Sequence, residues 1–247
     1  DDNRTWYPAG SPHHDRIDIN YEAVLARSDL VLANCEPVAE SMRAFTPEVH
    51  LIANGLELPD GPPRGPKPPE LAALRGPIVG YVGNLSGRID LDLLDGLARA
   101  RPDWQFVFIG SAHLDDSILA LRSLPNVHFL GVKPHREAQR YLHHFDVALI
   151  PHLDNEMTRA MNPLKAFVYC AAGVPVVSTP ISNVDHLEPL ITIAHGVAGF
   201  LRAIEAHLAS GRTPVDRELL APHSWDVRVA DVLALIDGLA ARNRSHP

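Results

Sequence analysis

Apolar and polar positions alternate in two distinct patterns along the 247-residue chain. Short apolar runs recur at 29–34 (DLVLAN), 49–54 (VHLIAN), 78–83 (IVGYVG), 104–110 (WQFVFIG), 127–131 (VHFLG), 147–151 (VALIP) and 174–179 (VPVVST). Most lack a clean two-residue alternation, so they predict strands covered on both faces. Helical patterns lie between them: EPVAESMRAF, LDLLDGLARAR, DSILALRSL, HREAQRYLHHF and PLKAFVYCAAG. Strand alternating with helix predicts an α/β fold built on a doubly wound parallel sheet with right-handed crossovers.

One stretch breaks the alternation. Residues 58–77, LPDGPPRGPKPPELAALRGP, are crowded with proline and glycine and read as a semi-rigid linker. Residues 1–57 before it hold two strands and one helix, too little for a domain. Residues 78–222 hold a full alternating unit, and 223–247 contain a long amphipathic helix with a stripe at Val229, Leu233 and Ile236. The first and last segments are expected to pack together. The opening DDNRTWYPAG has neither Met nor a signal-peptide pattern and reads as interior sequence, so a fragment is expected.

Composition narrows the partners. A net charge of −8 argues against a nucleic-acid partner. No apolar run has the length of a membrane span. Cys35 and Cys170 fit a reducing compartment, with Cys170 a small core residue.

In an open parallel sheet, ligands bind beyond the carboxyl ends of the strands. Three segments fall there. In GYVGNLSGRID (80–90), a strand ends at Gly83 and a loop with Gly87 and Arg88 leads to a helix. Glycine lets backbone approach a ligand and arginine can reach a phosphate, although a plain turn fits equally. In FLGVKPH (129–135), Gly131 ends a strand and Pro134 opens a helix. The backbone of Val132 and Lys133 could meet a base edge, with the Lys133 side chain solvated. In the third, Asn162 reads as an N-cap and Pro163 as the first helical residue. The amides of Leu164 and Lys165 then sit at the positive end of the helix, and Lys165 adds a full charge. An anion site and a surface lysine on a well-capped helix are both open readings. Together the loops suggest an anionic ligand with an aromatic or ribosyl part, such as a nucleotide.

Fourteen histidines include the pairs His13–His14 and His143–His144. Neighbours on a helix point to different faces, so His143–His144 is a poor metal clamp, while His13–His14 reads as part of a loop containing Pro and Asp; both pairs read as surface residues. His152, which follows a strand on the binding side, is kept as a candidate ligand contact.

At this point SDLVLANCEPVAESM…VHLIANGLE, IVGYVGNLSGRIDLDLLDGLARARPDWQFVFIG and NPLKAFVYCAAGVPVVST together resemble the bacterial group 1 class of nucleotide-sugar-dependent glycosyltransferases with the GT-B fold. The initial DD resembles an acidic pair late in their N-terminal domain. The resemblance runs almost end to end, with the motifs in order. It implies two Rossmann-like domains around a cleft: 1–57 the end of the acceptor domain, 78–222 the donor domain, and 223–247 a helix crossing back. It implies a UDP- or GDP-linked sugar donor and a glycan or lipid-linked acceptor in envelope or exopolysaccharide assembly. No metal cofactor is implied, because helix ends and basic side chains meet the leaving diphosphate. It also implies a cytoplasmic protein, peripheral at the inner face of the plasma membrane through the rest of the N-terminal domain. By motif, Lys165 and Arg88 contact the diphosphate, Gly83 and Asn84 line the pocket, and Val132 and Lys133 flank the base.

Three departures stand out. Val168 replaces the glutamate that normally holds the ribose, and Ala160 replaces a second glutamate eight positions earlier. Asp154 and Glu156 are the nearby acids that could meet the sugar instead. Most of the N-terminal domain lies outside this sequence, and with it any catalytic residue there. A degenerate nucleotide-binding or scaffold module is therefore the alternative. An epimerase of the same fold would need more acids and bases, and an NAD enzyme would need the missing GxGxxG.

Overall fold

A computed structural model describes residues 12–58, 65–85, 87–112, 116–180, 191–212 and 217–244. The chain opens with helix α1 (Pro12–Leu25), strand β1 (Leu32–Ala33), helix α2 (Glu36–Arg43) and strand β2 (His50–Leu51). The two short strands pair in parallel. After the one-turn helix α3 (Pro69–Ala72) comes a regular alternation: β3 (Ile78–Val82), α4 (Leu91–Ala100), β4 (Gln105–Ile109), α5 (Asp116–Arg122), β5 (Val127–Phe129), α6 (His135–Leu142) and β6 (Val147–Ile150). It continues through α7 (Glu156–Arg159), α8 (Leu164–Ala171), β7 (Val176–Ser178), β8 (Ile191–Ile193), α9 (Gly196–Ser210), α10 (Arg217–Leu220) and α11 (Trp225–Arg244).

The six strands β3–β8 form one parallel sheet in the order β5-β4-β3-β6-β7-β8. Sequence order therefore reverses between β3 and β6, which opens a crevice at their carboxyl ends. The apolar runs without alternation are explained by burial on both faces. Val79 and Tyr81 of β3, with Val147 and Leu149 of β6, pack with Leu93, Leu97 and Phe200 of α4 and α9. Ile78, Ala148 and Ile150 face the other layer, with Tyr141, Phe167 and Cys170 of α6 and α8. Each Val, Leu, Ile or Phe among them contributes about 1.5–3 kcal/mol by leaving water. Helix α4 begins where the Asp90 carboxylate accepts a hydrogen bond from the Leu93 amide at 2.9 Å.

Several expectations need correction. The segment holding His13 is helical, not a loop, although His13 itself is exposed. His143 and His144 are half-buried rather than at the surface, and burial lowers the pKa of both. The linker contains the α3 turn, and its residues 59–64 lie outside the described residues, as does the opening DD. The first segment does meet the last: the Leu56 amide donates to the His223 carbonyl (2.9 Å) and the Trp225 amide to the Leu56 carbonyl (3.0 Å). The stripe on α11, however, is not covered by the described residues, since Val229 and Leu233 are each 54% exposed and Ile236 45%.

Candidate active site

The loop after β3 is tied across the crevice. The Asp90 amide donates to the Pro151 carbonyl and the Leu153 amide to the Arg88 carbonyl, both at 2.8 Å. These bonds fasten Arg88 over the end of β6, at the point where strand order reverses. Helix α8 brings Lys165 to the same place from the layer of α6 and α8. Here the chain surrounds a cavity of about 470 Å³, lined by Gly83, Asn84, Arg88, His152, Asn162, Pro163, Leu164 and Lys165, together with Asn34, Asn54 and Met161.

Lys165 is not a surface lysine. Its Nζ donates to the Tyr81 hydroxyl at 2.7 Å and lies 4.4 Å from the centre of that ring. His152 Nε2 is 3.4 Å away. Tyr81 belongs to the opposite helix layer, so the amine reaches it around the end of β3. Gly83 leaves room for that passage: a Cβ there would lie 2.9 Å from the Tyr81 hydroxyl and 3.1 Å from Nζ. Its φ of 151° also favours glycine.

Burial, then the neighbouring Arg88 charge, lowers the Lys165 pKa to about 7. Burial, then the charges of Lys165 and Arg88, lowers that of His152 to about 3, so the imidazole is neutral. No described residue lining the cavity is acidic. Two like charges held together without a carboxylate repel each other until an anion enters.

Asn162 is not the helix cap. Pro163 takes that position, and Leu164 and Lys165 are the first two helical residues. The Asn162 side chain instead accepts from the Asn54 amide (3.0 Å), while Asn54 Nδ2 donates to the Asn162 carbonyl (2.7 Å). The Asn84 side chain accepts from the Ser111 hydroxyl at 3.0 Å, and its carbonyl accepts from Tyr81 at 3.1 Å.

Three expected site residues lie elsewhere. Val168 lines a neighbouring cavity of about 300 Å³, which shares Leu164 as a wall and also touches Glu57, His135, Gln139 and Trp225. Val132 is 73% exposed. Lys133 is not solvated: it faces Glu70 (3.4 Å) and Glu137 (3.5 Å) and sits over the Tyr141 ring. Asp154 pairs with Arg159 at 2.8 Å on the surface, and Glu156 opens α7. Asn34 and Asn54 were missed. Both end apolar runs of the first segment, so the strand-end rule applied there would have found them.

Among the described residues, no cluster of His, Cys, Asp or Glu has the arrangement of a metal centre, and no helix is long and apolar enough to cross a membrane. A putative teichuronic acid biosynthesis glycosyltransferase, TuaH of Bacillus subtilis (strain 168), is 27% identical over 173 residues, covering 67% of this chain and 44% of that protein. The crystal structure of TarM matches with a TM-score of 0.64 at 13% identity, over 95% of this chain and 48% of TarM. Anabaena HepE in complex with UDP and glucose matches with a TM-score of 0.54 at 17% identity, over 89% of this chain and 64% of HepE. At these identities the structural likenesses establish the GT-B fold. The chain spans about half the length of TuaH and TarM. The family model for glycosyl transferases group 1 matches residues 76–210, more than half of the chain and the whole region from β3 to α9, and the chain belongs to that family.

Proposed function

We propose that this chain carries the donor-binding half of an enzyme that transfers a sugar from a UDP- or GDP-linked donor to a glycan or lipid-linked acceptor in cell-envelope assembly. One observation supports it above the rest. Arg88 and Lys165 converge beside the Gly83 turn, at the reversal point of the sheet, with no acidic residue in the described lining. Such a site is matched to a diphosphate, whose charge grows on the leaving group as the sugar departs. In this reading two side-chain cations take the part a metal would otherwise play. The envelope polymer follows from TuaH, whose name refers to teichuronic acid biosynthesis.

Calorimetric titration of the chain with UDP and GDP, alongside uridine and guanosine, tests the site. One diphosphate is expected to bind well above its nucleoside. Equal binding of the two, or none of the diphosphate, would overturn the reading.

A second reading, a module that binds nucleotide without catalysis, is favoured by the two apolar replacements. Ala160 is 7% exposed and packs with Ala33, Cys35, Val38 and Ala39, leaving no carboxylate at that point. Val168 presents methyl groups where the resemblance implies a glutamate. Release of nucleoside diphosphate from a nucleotide-sugar by the full-length protein separates the readings.

A further inference from the structure

Two buried tyrosines, Tyr81 of β3 and Tyr169 of α8, use their hydroxyls differently. The Tyr169 hydroxyl donates to the Val82 carbonyl at 3.1 Å and accepts from the Val82 amide at 2.8 Å, so it is satisfied by strand backbone alone. The Tyr81 hydroxyl donates to the Asn84 carbonyl, and this leaves its lone pairs turned to Lys165. An ammonium has three donors. One meets Tyr81 and another faces His152, which leaves the third for a ligand in the cavity.

We propose that Tyr81 is a positioning residue for the donor: its hydroxyl, aimed by the Asn84 carbonyl, holds the Lys165 ammonium at the Gly83 turn where the diphosphate docks. The assignment rests on the donor site proposed above. A phenol suits the task for a physical reason. A carboxylate would hold the lysine more strongly, but it would cancel the charge that the diphosphate needs. A neutral acceptor fixes the amine and leaves the charge intact. The ring face adds a second attraction for the cation without neutralising it. The groups facing Lys165 are Tyr81 from β3, Arg88 from the loop after it and His152 from the end of β6. Tyr81 is the nearer of the two acceptors that favour the protonated amine, His152 being the more distant, while Arg88 repels it.

Tyr81→Phe keeps the ring and removes the grip. Titration of this variant with UDP and GDP near neutral pH is expected to show about tenfold weaker binding. Binding of uridine and guanosine should not change. Without its acceptor the ammonium loses its proton more readily, so the decline of diphosphate affinity with rising pH should move to lower pH. Tyr169→Phe is the control: it should lower the melting temperature and leave the pH profile in place. If Tyr81→Phe binds as the wild type does, with the same profile, while Lys165→Met loses binding, the Tyr81 assignment is wrong and the donor site stands. Equal profile shifts in both tyrosine variants would also overturn it, as a loosened core would explain both. If the wild type binds neither diphosphate, the donor reading itself falls. Should Tyr81→Phe fail to fold, wild-type protein with tyrosines labelled at Cζ serves instead: the Tyr81 resonance should move with the Lys165 titration near pH 7. A flat resonance would sink the proposal.

Discussion

Asn54 and Asn162, 108 residues apart, hold each other by two hydrogen bonds, each pairing a side chain with the other residue's backbone. The pair ties the end of the first segment to the loop that leads into α8. It therefore sets the distance between the small parallel pair β1–β2 and the cationic pocket. Asn162→Asp keeps an oxygen for the Asn54 amide and adds a negative charge beside Lys165. Its melting temperature should stay close to wild type while diphosphate affinity drops about tenfold or more. A variant that binds as well as wild type would place the diphosphate away from this loop.

Lys165 makes stability and binding pull in opposite directions. Its folded pKa is about 7 against an ordinary 10.5, so folding works against the charged form. Below the folded value the penalty is full. As pH rises through the window between those two values it fades, because only the unfolded chain then still holds the proton. Lys165→Met should therefore stabilise the unliganded chain by about 1–2 kcal/mol at neutral pH, and the gain should shrink towards alkaline pH. The same variant should lose ten- to a hundredfold in diphosphate affinity. Thermal melts across pH, paired with calorimetry, check both halves. A less stable variant with unchanged binding would contradict the site.

Binding should also follow the lysine proton. Diphosphate affinity is expected to fall as pH rises above about 7, where unliganded Lys165 becomes neutral. Arg88 and the first amides of α8 remain at the pocket, so binding weakens without vanishing. Titrations at several pH values measure the slope, and a flat profile would mean that Lys165 does not meet the anion.

Asn34 offers the pocket an unmet acceptor. Its Oδ1 is buried and has no hydrogen-bond partner among the described residues, and it lines the cavity opposite α8. Asn34→Ala should weaken binding of a nucleotide-sugar about three- to tenfold and leave the matching nucleoside diphosphate unaffected. Equal loss for both would assign Asn34 to the diphosphate instead.

Val168→Glu restores the acid that the resemblance implies. It would stand in the cavity of about 300 Å³ that adjoins the cationic pocket through Leu164. Nucleoside affinity should rise about tenfold as ribose hydroxyls gain an acceptor. No rise would put the nucleoside outside that cavity.

The sheet was legible because its strands are buried on both faces, and burial writes itself as unbroken apolar runs. Gly83, Arg88, His152 and Lys165 were legible for a related reason: each follows a strand end or opens a helix, and the strand-end rule is local. Several elements escaped: α1, the one-turn helices α3, α7 and α10, β8 and α9. Strand β8 is three residues long, too short for a period, and α9 opens on Gly196 and mixes small residues with apolar ones. Side-chain partners escaped as well. Asn162 before a proline has the local form of a cap, but its partner lies far away in the chain. Lys133 on a loop reads as solvated, yet Glu70 and Tyr141 reach it only after folding. Nothing local shows that Lys165 ends beneath a tyrosine of the other layer.

The strand order has a kinetic consequence. Strands β3, β4 and β5 pair with their neighbours in sequence, through short loop closures. The pairing of β3 with β6 spans a far longer stretch of chain, and Tyr81 meets Lys165 across 84 residues. Contacts of that reach form late. The cationic pocket is thus expected to be among the last features to appear during folding. A chain cut short before Leu164 would retain the first four strands of the sheet and Arg88 but lose Lys165, so full nucleotide affinity reports on completion of the fold.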